Sequence, residues 1–306
     1  MPEKTSDIWW LFSRQTVSVT TKESVLNAAV LMKNRNFRHL PILAESGKLL
    51  GILSVQDIVD ALNLTLQATT SADDVKRSLE IPVERIMTGQ PIAVEPWDGL
   101  KEVINKFSFY NVGALPVVNL TGVVEGIITL RDLVSLMGTS SSPLNVPVSE
   151  IMSTNVVTID PSSSLIEAVR LMSERRVRRL PVISAEQMLQ GVLTNKDVLR
   201  HTVRIVGAGA NPSGFERRVS ELMTADLITI DADDDVRAAA NLMTTFGVGG
   251  LVVSSIPMNR LALVTERDLV RSLSSKRGVD FLVNSMQYEL EAEDAMSGIR
   301  SHARAE

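Results

Sequence analysis

The chain has 306 residues, of which 44% are hydrophobic and 22% are charged, so it has the composition of a folded globular protein with room for two or three domains. Its formal net charge of -5 argues against a generally basic surface for duplex DNA. The absence of cysteine excludes thiolate catalysis, disulfides and cysteine-ligated metals, and the three histidines stand too far apart in sequence to suggest a metal site.

The most informative feature of the sequence is one unit repeated four times. Each unit carries a short phrase that ends in an aspartate: GILSVQD at 51–57, GIITLRD at 126–132, GVLTNKD at 191–197 and ALVTERD at 262–268. These aspartates are 75, 65 and 71 residues apart, and an earlier position, occupied by Pro41, Pro116, Pro181 and Val252, shows the same separations. Length therefore varies only between units, which indicates one structural module in four copies.

Within a unit the predicted elements run β-α-β-β-α. A short strand such as 155–160 comes first, and an amphipathic helix follows, with apolar residues at helical spacing from Leu165 to Met172. Next comes a hairpin, whose turn carries Gly122 in the second unit, and a second helix is predicted to begin at the aspartate. One such unit exposes too much apolar surface to stand alone, so neighbouring units should pair.

The unit boundaries follow from the gaps between the copies. We assign repeats one to four to residues 8–62, 83–137, 148–202 and 219–273. Residues 138–147 are rich in Gly, Ser and Pro and are predicted to link two halves of two repeats each. Residues 274–306 lie outside any repeat and form a C-terminal extension, predicted to be a docked segment followed by a polar tail.

Three phrases recur at consistent offsets: an opening V-x-x-I/L-M, a strand LP-V/I-V/I, and G-h-h-S/T-x-x-D, where h is hydrophobic. With these phrases the sequence resembles the cystathionine β-synthase (CBS) domain family four times over. The first repeat departs at its opening, which reads IWWLF at 8–12, and the fourth has Val252 for Pro and Ala262 for Gly.

The resemblance implies a mixed α/β (α+β) fold of four CBS repeats. In that family two repeats pair into a Bateman module, and chains with four repeats form a disc of two modules, as in the regulatory γ subunit of AMP-activated protein kinase. Such proteins bind adenine nucleotides, and some bind S-adenosyl-methionine, without transforming them.

The Ser/Thr and Asp of the last phrase are the first candidate ligand residues. An ionised aspartate accepts two hydrogen bonds, which suits the adjacent hydroxyls of a ribose, and free amides at a helix start favour a phosphate. The alternative is a capping box that serves the helix alone, worth about 1 kcal/mol. By the resemblance, the ribose and phosphate residues are Ser54/Asp57, Thr129/Asp132, Thr194/Asp197 and Thr265/Asp268.

A basic pair before the LP strand is the second candidate. Repeats one and three have Arg38-His39 and Arg178-Arg179, where repeats two and four have Gly113-Ala114 and Gly249-Gly250. By the resemblance, Arg38, His39, Arg178 and Arg179 reach phosphates, and the guanidinium fork matches phosphate oxygens. The alternative is solvated charge. The residues just before each aspartate, which are Gln56, Arg131, Lys196 and Arg267, are interpreted mainly as surface charge, with a phosphate contact as the second interpretation.

Together with these residues, the resemblance implies a non-catalytic regulatory protein that binds AMP, ADP or ATP and acts on an unknown partner protein. No catalytic cofactor or metal is expected, and a homodimer is left open. The alternatives are a scaffold or RNA-binding CBS protein, against which the net charge argues, and an S-adenosyl-methionine sensor. Because no stretch is long and apolar enough to span a membrane and no signal peptide is apparent, we expect no membrane partner and a cytoplasmic location.

Overall fold

The computed structural model describes residues 8, 11–140, 142–207, 212–254, 261–274, 278 and 280–282. Over this part of the chain, helices and small sheets alternate in the predicted order, which confirms the mixed α/β fold. The first helices of the four repeats are α1 (Val25–Arg35), α4 (Leu100–Tyr110), α6 (Leu165–Arg175) and α8 (Val236–Thr245). The second helices are α2 (Val55–Leu66), α5 (Leu130–Thr139), α7 (Asn195–Gly207) and α9 (Glu266–Ser272), and α3 (Ala72–Leu79) connects repeats one and two.

Each second helix begins two residues before the aspartate rather than at it. In repeat one, Ser54 has an extended backbone with φ of -113° and caps α2, so Asp57 is the third residue of the helix. The hydroxyl oxygen of Ser54 accepts a hydrogen bond from the amide of Asp57, which is free in the first turn. The helix therefore begins directly after Ser54, upstream of Asp57.

A hairpin between the two helices positions the candidate residues in every repeat. Its strands are β2 (His39–Leu43) and β3 (Leu49–Ser54), β5 (Ala114–Val118) and β6 (Val124–Thr129), β7 (Arg179–Ile183) and β8 (Leu189–Thr194), and β10 (Gly250–Ser254) and β11 (Ala262–Thr265). The antiparallel register sets His39 opposite Ser54 and Arg179 opposite Thr194. The second residue of each basic pair therefore lies directly beside the Ser/Thr that begins the next helix.

Short parallel strands complete two of the sheets. β1 (Val19–Thr20) pairs with β2, and β9 (Thr229–Asp231) pairs with β10, whereas β4 (Thr88–Gly89) joins the edge of β3. In repeat three the predicted strand at 155–160 contributes only an isolated bridge between Ile159 and Val182. Gly122 has a φ of +80°, as the hairpin turn requires.

Within each half, the repeats pair through the opening segment of one and the hairpin glycine of the other. A Cβ on Gly51 would lie 2.5 Å from the sulfur of Met87, and one on Gly191 would lie 2.6 Å from that of Met223. Phe12 is inserted over Gly126 in the same way. These glycines accept a side chain of the neighbouring repeat, so repeats one and two, and repeats three and four, form the two Bateman modules.

The helices pair differently, because they join repeats of opposite halves. α5 packs on α8 and α2 on α6, and the apolar core divides into one cluster mainly from repeats two and four and another mainly from repeats one and three. The opening segment of a repeat joins the other cluster, as Phe12 and Val83 do. Each repeat thus contacts one neighbour through its strands and another through its helices. This closes the four repeats into a ring around a shared centre.

The predicted linker begins inside a helix and is attached to repeat four. Gly138 and Thr139 continue α5, and Gly138 is buried. Further on, the amides of Leu144 and Val146 each donate to the carboxylate of Asp235 at 3.1 Å. These two hydrogen bonds hold residues 144–146 against repeat four.

The C-terminal extension lies outside the described residues except for 274, 278 and 280–282. Leu282 is fully buried in the cluster formed by repeats two and four. No helix among the described residues is long and apolar enough to cross a bilayer.

Candidate functional site

The four aspartates cap their own helices, each with the same carboxylate oxygen. Oδ2 of Asp57 accepts from the amide of Ser54 at 2.6 Å, and that of Asp132 from the amide of Thr129 at 2.6 Å. In repeats three and four the amide distances are 2.9 Å, and the threonine hydroxyls also donate to Oδ2 at 2.6 Å. The capping alternative is therefore present in all four repeats, and it occupies one oxygen of each carboxylate.

The second carboxylate oxygen, Oδ1, has an ion-pair partner in repeat three. Oδ1 of Asp197 forms an ion pair with Arg200 at 3.1 Å. For Asp57, Asp132 and Asp268, no partner of Oδ1 occurs among the described residues. An oxygen that remains available at a helix start is able to accept hydrogen bonds from a ligand as well as serving the cap.

Burial raises the pKa of Asp57 and of Asp132 above the ordinary value, although hydrogen bonds from Ser54 and Thr129 act in the opposite direction. Keeping each carboxylate ionised in the folded protein therefore costs free energy. Hydroxyl donors from a ligand would reduce that cost.

One cleft joins several of the candidate residues. It has a volume of about 470 Å³, lies between repeats three and four, and reaches Arg38 of repeat one. Its lining includes Thr194, Asp197, Thr265, Arg178 and Arg179. This size is typical of a pocket for a small molecule.

The other predicted residues lie elsewhere. Asp268 sits at the third position of α9 and is not part of the lining of that cleft. Ser54, Asp57, Thr129 and Asp132 occupy the corresponding hairpin ends of repeats one and two.

The glycines of repeats two and four make room for the cations of repeats one and three. A Cβ on Gly113 would lie 2.8 Å from Nε2 of His39 and 3.2 Å from Nη1 of Arg178. A Cβ on Gly249 would overlap Arg179 and lie 2.6 Å from Nη2 of Arg38. The basic pairs therefore converge on the centre of the ring, so the solvated-charge alternative does not describe their surroundings.

Crowding of these cations shifts their pKa values. Burial, together with Arg178, Arg38 and Arg267, lowers the pKa of His39 to about 3, so its imidazole is neutral. Burial and neighbouring arginines lower the pKa of Arg178 to about 10, and burial lowers that of Arg179 to about 10 in spite of a nearby carboxylate. An anion placed at this centre would be bound by positive charges that are incompletely balanced.

The carboxylate near these cations belongs to Glu266. It forms an ion pair with Arg38 and lies 3.3 Å from Nε of Arg131. Glu266 is not among the residues predicted from the sequence. The available signal was an acid at a position where the other repeats have Val55, Leu130 and Asn195.

The residues just before the aspartates contact the repeat across the helical interface, which corrects their interpretation as surface charge. Arg131 donates to the carbonyl of Gly247 at 3.0 Å, and Arg267 to the amide oxygen of Asn111 at 2.5 Å. Lys196 donates to Asn36, and Gln56 accepts from Asn195 at 3.4 Å. Sequence could not reveal these partners, because each pair is brought together only by helix packing between halves.

Comparison with known proteins identifies the family of the chain. The family model for the CBS domain matches residues 6–64, 83–138, 148–204 and 219–275. An uncharacterised 33.4 kDa protein in a ribosomal RNA operon of Thermofilum pendens is 33% identical over 275 residues, covering 87% of this chain and 90% of that protein.

Two solved structures share the fold over most of the chain. The crystal structure of protein MJ1225 from Methanocaldococcus jannaschii has a TM-score of 0.77 at 24% identity and covers 87% of this chain and 99% of that one. A conserved protein from Pyrococcus horikoshii has a TM-score of 0.60 at 20% identity, with the same coverage of 87% and 99%.

Proposed function

Because the chain belongs to the CBS domain family and carries four copies of the domain, we propose that it is a non-catalytic regulatory protein that binds AMP, ADP or ATP and transmits their levels to a partner protein. One observation carries this proposal. The cleft between repeats three and four combines the capped Thr194/Asp197 pair with the guanidinium groups of Arg178 and Arg179.

The spacing within that cleft suits a nucleotide. Arg179 lies directly opposite Thr194 in the β7–β8 hairpin, and facing residues of an antiparallel pair are about 5 Å apart. The Asp197 carboxylate, whose Oδ1 would exchange its ion pair with the exposed Arg200 for the ribose hydroxyls, therefore lies close to cations for a phosphate. Apolar side chains such as Val157 and Ile228 line the same cleft and offer a surface to a flat base.

The electrostatics of the cleft favour a phosphate-bearing ligand over S-adenosyl-methionine. That ligand has a ribose, but it carries a positive sulfonium and no phosphate. Arg178 and Arg179 match a phosphate, whereas they would repel a sulfonium placed beside them. We therefore favour a nucleotide for the same ribose site.

Calorimetric titration of the full chain with AMP, ADP and ATP tests the proposal. We expect binding, and we expect Asp197→Asn to weaken it by roughly 1–3 kcal/mol, the range for a lost hydrogen bond to a charged group. Asp233→Asn, at an exposed aspartate outside the cleft, is the matched control and should bind as the native chain does.

Lack of binding at millimolar nucleotide, with no rise in melting temperature, would contradict the proposal. S-adenosyl-methionine and a single-stranded RNA, tested in parallel, report on the alternatives. If either one binds and the nucleotides do not, the protein is an S-adenosyl-methionine sensor or an RNA-binding protein instead.

A further inference from the structure

Glu266 is a buried acid at a position where the other three repeats have neutral side chains. Its residue is 4% exposed, and the equivalent Val55, Leu130 and Asn195 are buried as well. Its amide donates to the carbonyl of Gly249 at 3.2 Å, which holds the start of α9 against the centre of the ring. A carboxylate at such a position is stable only with cationic partners.

One arginine from each of the other three repeats surrounds that carboxylate. Arg38 of repeat one forms an ion pair with it, and Nε of Arg131 in repeat two lies 3.3 Å from its Oε1. Arg179 of repeat three is adjacent, since a Cβ on Gly249 would overlap its guanidinium and lie 3.0 Å from Cδ of Glu266.

These arginines keep the carboxylate charged. Burial opposes ionisation of Glu266, but the attraction of Arg38, Arg179 and Arg131 outweighs it and holds its pKa below the ordinary range. On this side of the centre the positive charge is therefore already partly balanced.

Near Gly113 lie basic side chains that form no ion pair with Glu266, although its charge still acts on Arg178. His39 and Arg178 meet over Gly113, and both are close enough to Arg267 for its charge to lower their pKa values. Among the described residues, neither Arg178 nor Arg267 has a carboxylate within ion-pair distance. Nη2 of Arg267 is buried and has no hydrogen-bond partner in that part of the chain.

We propose that Glu266 is a built-in anion that occupies Arg38 and Arg131 and directs the phosphate of a ligand to the side of Arg178 and Arg267. A single phosphate fits this division, whereas a longer phosphate chain would extend toward Glu266 and be repelled. Glu266 thereby selects nucleoside monophosphates over triphosphates. The choice of nucleotide rests on the proposed function, but competition with Glu266 applies to any phosphate.

Inorganic phosphate and pyrophosphate test the inference without a nucleoside. Glu266→Gln keeps the shape of the side chain and removes its charge, so we expect it to bind pyrophosphate roughly tenfold or more tightly than the native chain, with a smaller change for phosphate. Glu125→Gln, at an exposed glutamate on β6, is the matched control and should equal the native chain. Equal pyrophosphate affinity in all three chains, or no pyrophosphate binding in any, would overturn the inference.

A second comparison uses only the native Glu266 and applies even where Glu266→Gln does not fold. Arg178→Lys loses the forked phosphate contact and should reduce pyrophosphate affinity by roughly tenfold, whereas Arg38→Lys keeps the positive charge that faces Glu266 and should reduce it by less. Equal losses in the two variants would contradict the inference.

AMP and ATP titrations separate this inference from the proposed function. Failure of both nucleotides to bind, with the pyrophosphate difference intact, would overturn the nucleotide assignment and support the built-in anion. If the nucleotides bind and Glu266→Gln leaves the ratio of AMP to ATP affinity unchanged, the nucleotide assignment stands and the built-in anion is overturned.

Discussion

Gly113 of repeat two leaves the space that the imidazole of His39 in repeat one occupies, since a Cβ on Gly113 would lie 2.8 Å from Nε2 of His39. A glycine of repeat two thus makes room for a candidate ligand residue of repeat one. Gly249 plays the corresponding part for Arg38 and Arg179. Small residues in two repeats are therefore a condition for the cation cluster formed by the other two.

Gly113→Ala should weaken phosphate binding while leaving the fold intact. The added methyl group displaces the ends of His39 and Arg178, which are flexible side chains and can move at small cost. We expect roughly tenfold weaker binding of AMP, measured by calorimetry, with a nearly unchanged melting temperature. Gly89→Ala is the control, because a Cβ there meets no atom within 4 Å. Unchanged AMP affinity in Gly113→Ala would exclude His39 and Arg178 as phosphate ligands.

Asp57→Asn should make the free protein slightly more stable and its ligand binding weaker. Burial raises the pKa of the Asp57 carboxyl, so the folded chain holds protons more tightly than the unfolded chain. Stability contributed by this group therefore falls as pH rises through the range between the two pKa values, and the full cost is present at neutral pH.

The asparagine removes that cost at pH 7 and keeps an acceptor for the amide of Ser54. Melting temperatures at pH 7 and at about pH 4 should show a gain in the variant that shrinks as the native aspartate becomes protonated. A gain that persists undiminished at the lower pH would disprove this account.

His39 should make the chain less stable in mild acid. Burial and the adjacent arginines lower the pKa of His39 to about 3, whereas an unfolded histidine titrates near pH 6.5. The unfolded chain therefore takes up a proton between these values that the folded chain does not, and stability is lost as pH falls below about 6.5.

Between pH 7 and pH 5 this difference amounts to up to about 2 kcal/mol. Urea denaturation at the two pH values should show a smaller loss in His39→Asn than in the native chain by about that amount. Added phosphate should diminish the native loss, because an anion at the centre favours the protonated imidazole. Identical pH dependence in both chains would be inconsistent with a neutral His39 at this site.

Gly138→Ala should destabilise the contact between the two halves. A Cβ on Gly138 would lie 3.0 Å from the amide nitrogen of Asn241 and 3.1 Å from the carbonyl carbon of Ala240, both in the backbone of α8. Since a backbone cannot rotate away, α5 and α8 would have to separate, and we expect a loss of about 1–3 kcal/mol in urea denaturation. Gly207→Ala, in α7 with no atom within 4 Å of the added carbon, should not lose stability.

The local sequence determined the units, their elements and the residues that begin each second helix. Hydrophobic spacing and the offsets between copies depend only on near neighbours in the chain, and both the helices and the hairpins follow them. For the same reason, the local sequence could not decide whether pairs such as Ser54 and Asp57 only cap a helix or also bind a ribose. Capping a helix and holding a ribose call for the same side chains at the same spacing.

Only the tertiary structure decided which repeats face each other and what lies at their centre. Helices of repeats one and three, and of repeats two and four, pack across the halves, although the chain order suggests only neighbouring pairs. The ion pair between Arg38 and Glu266 spans 228 residues of sequence. No local pattern could reveal it, because its energy depends on burial of the Glu266 carboxylate where four separate surfaces meet.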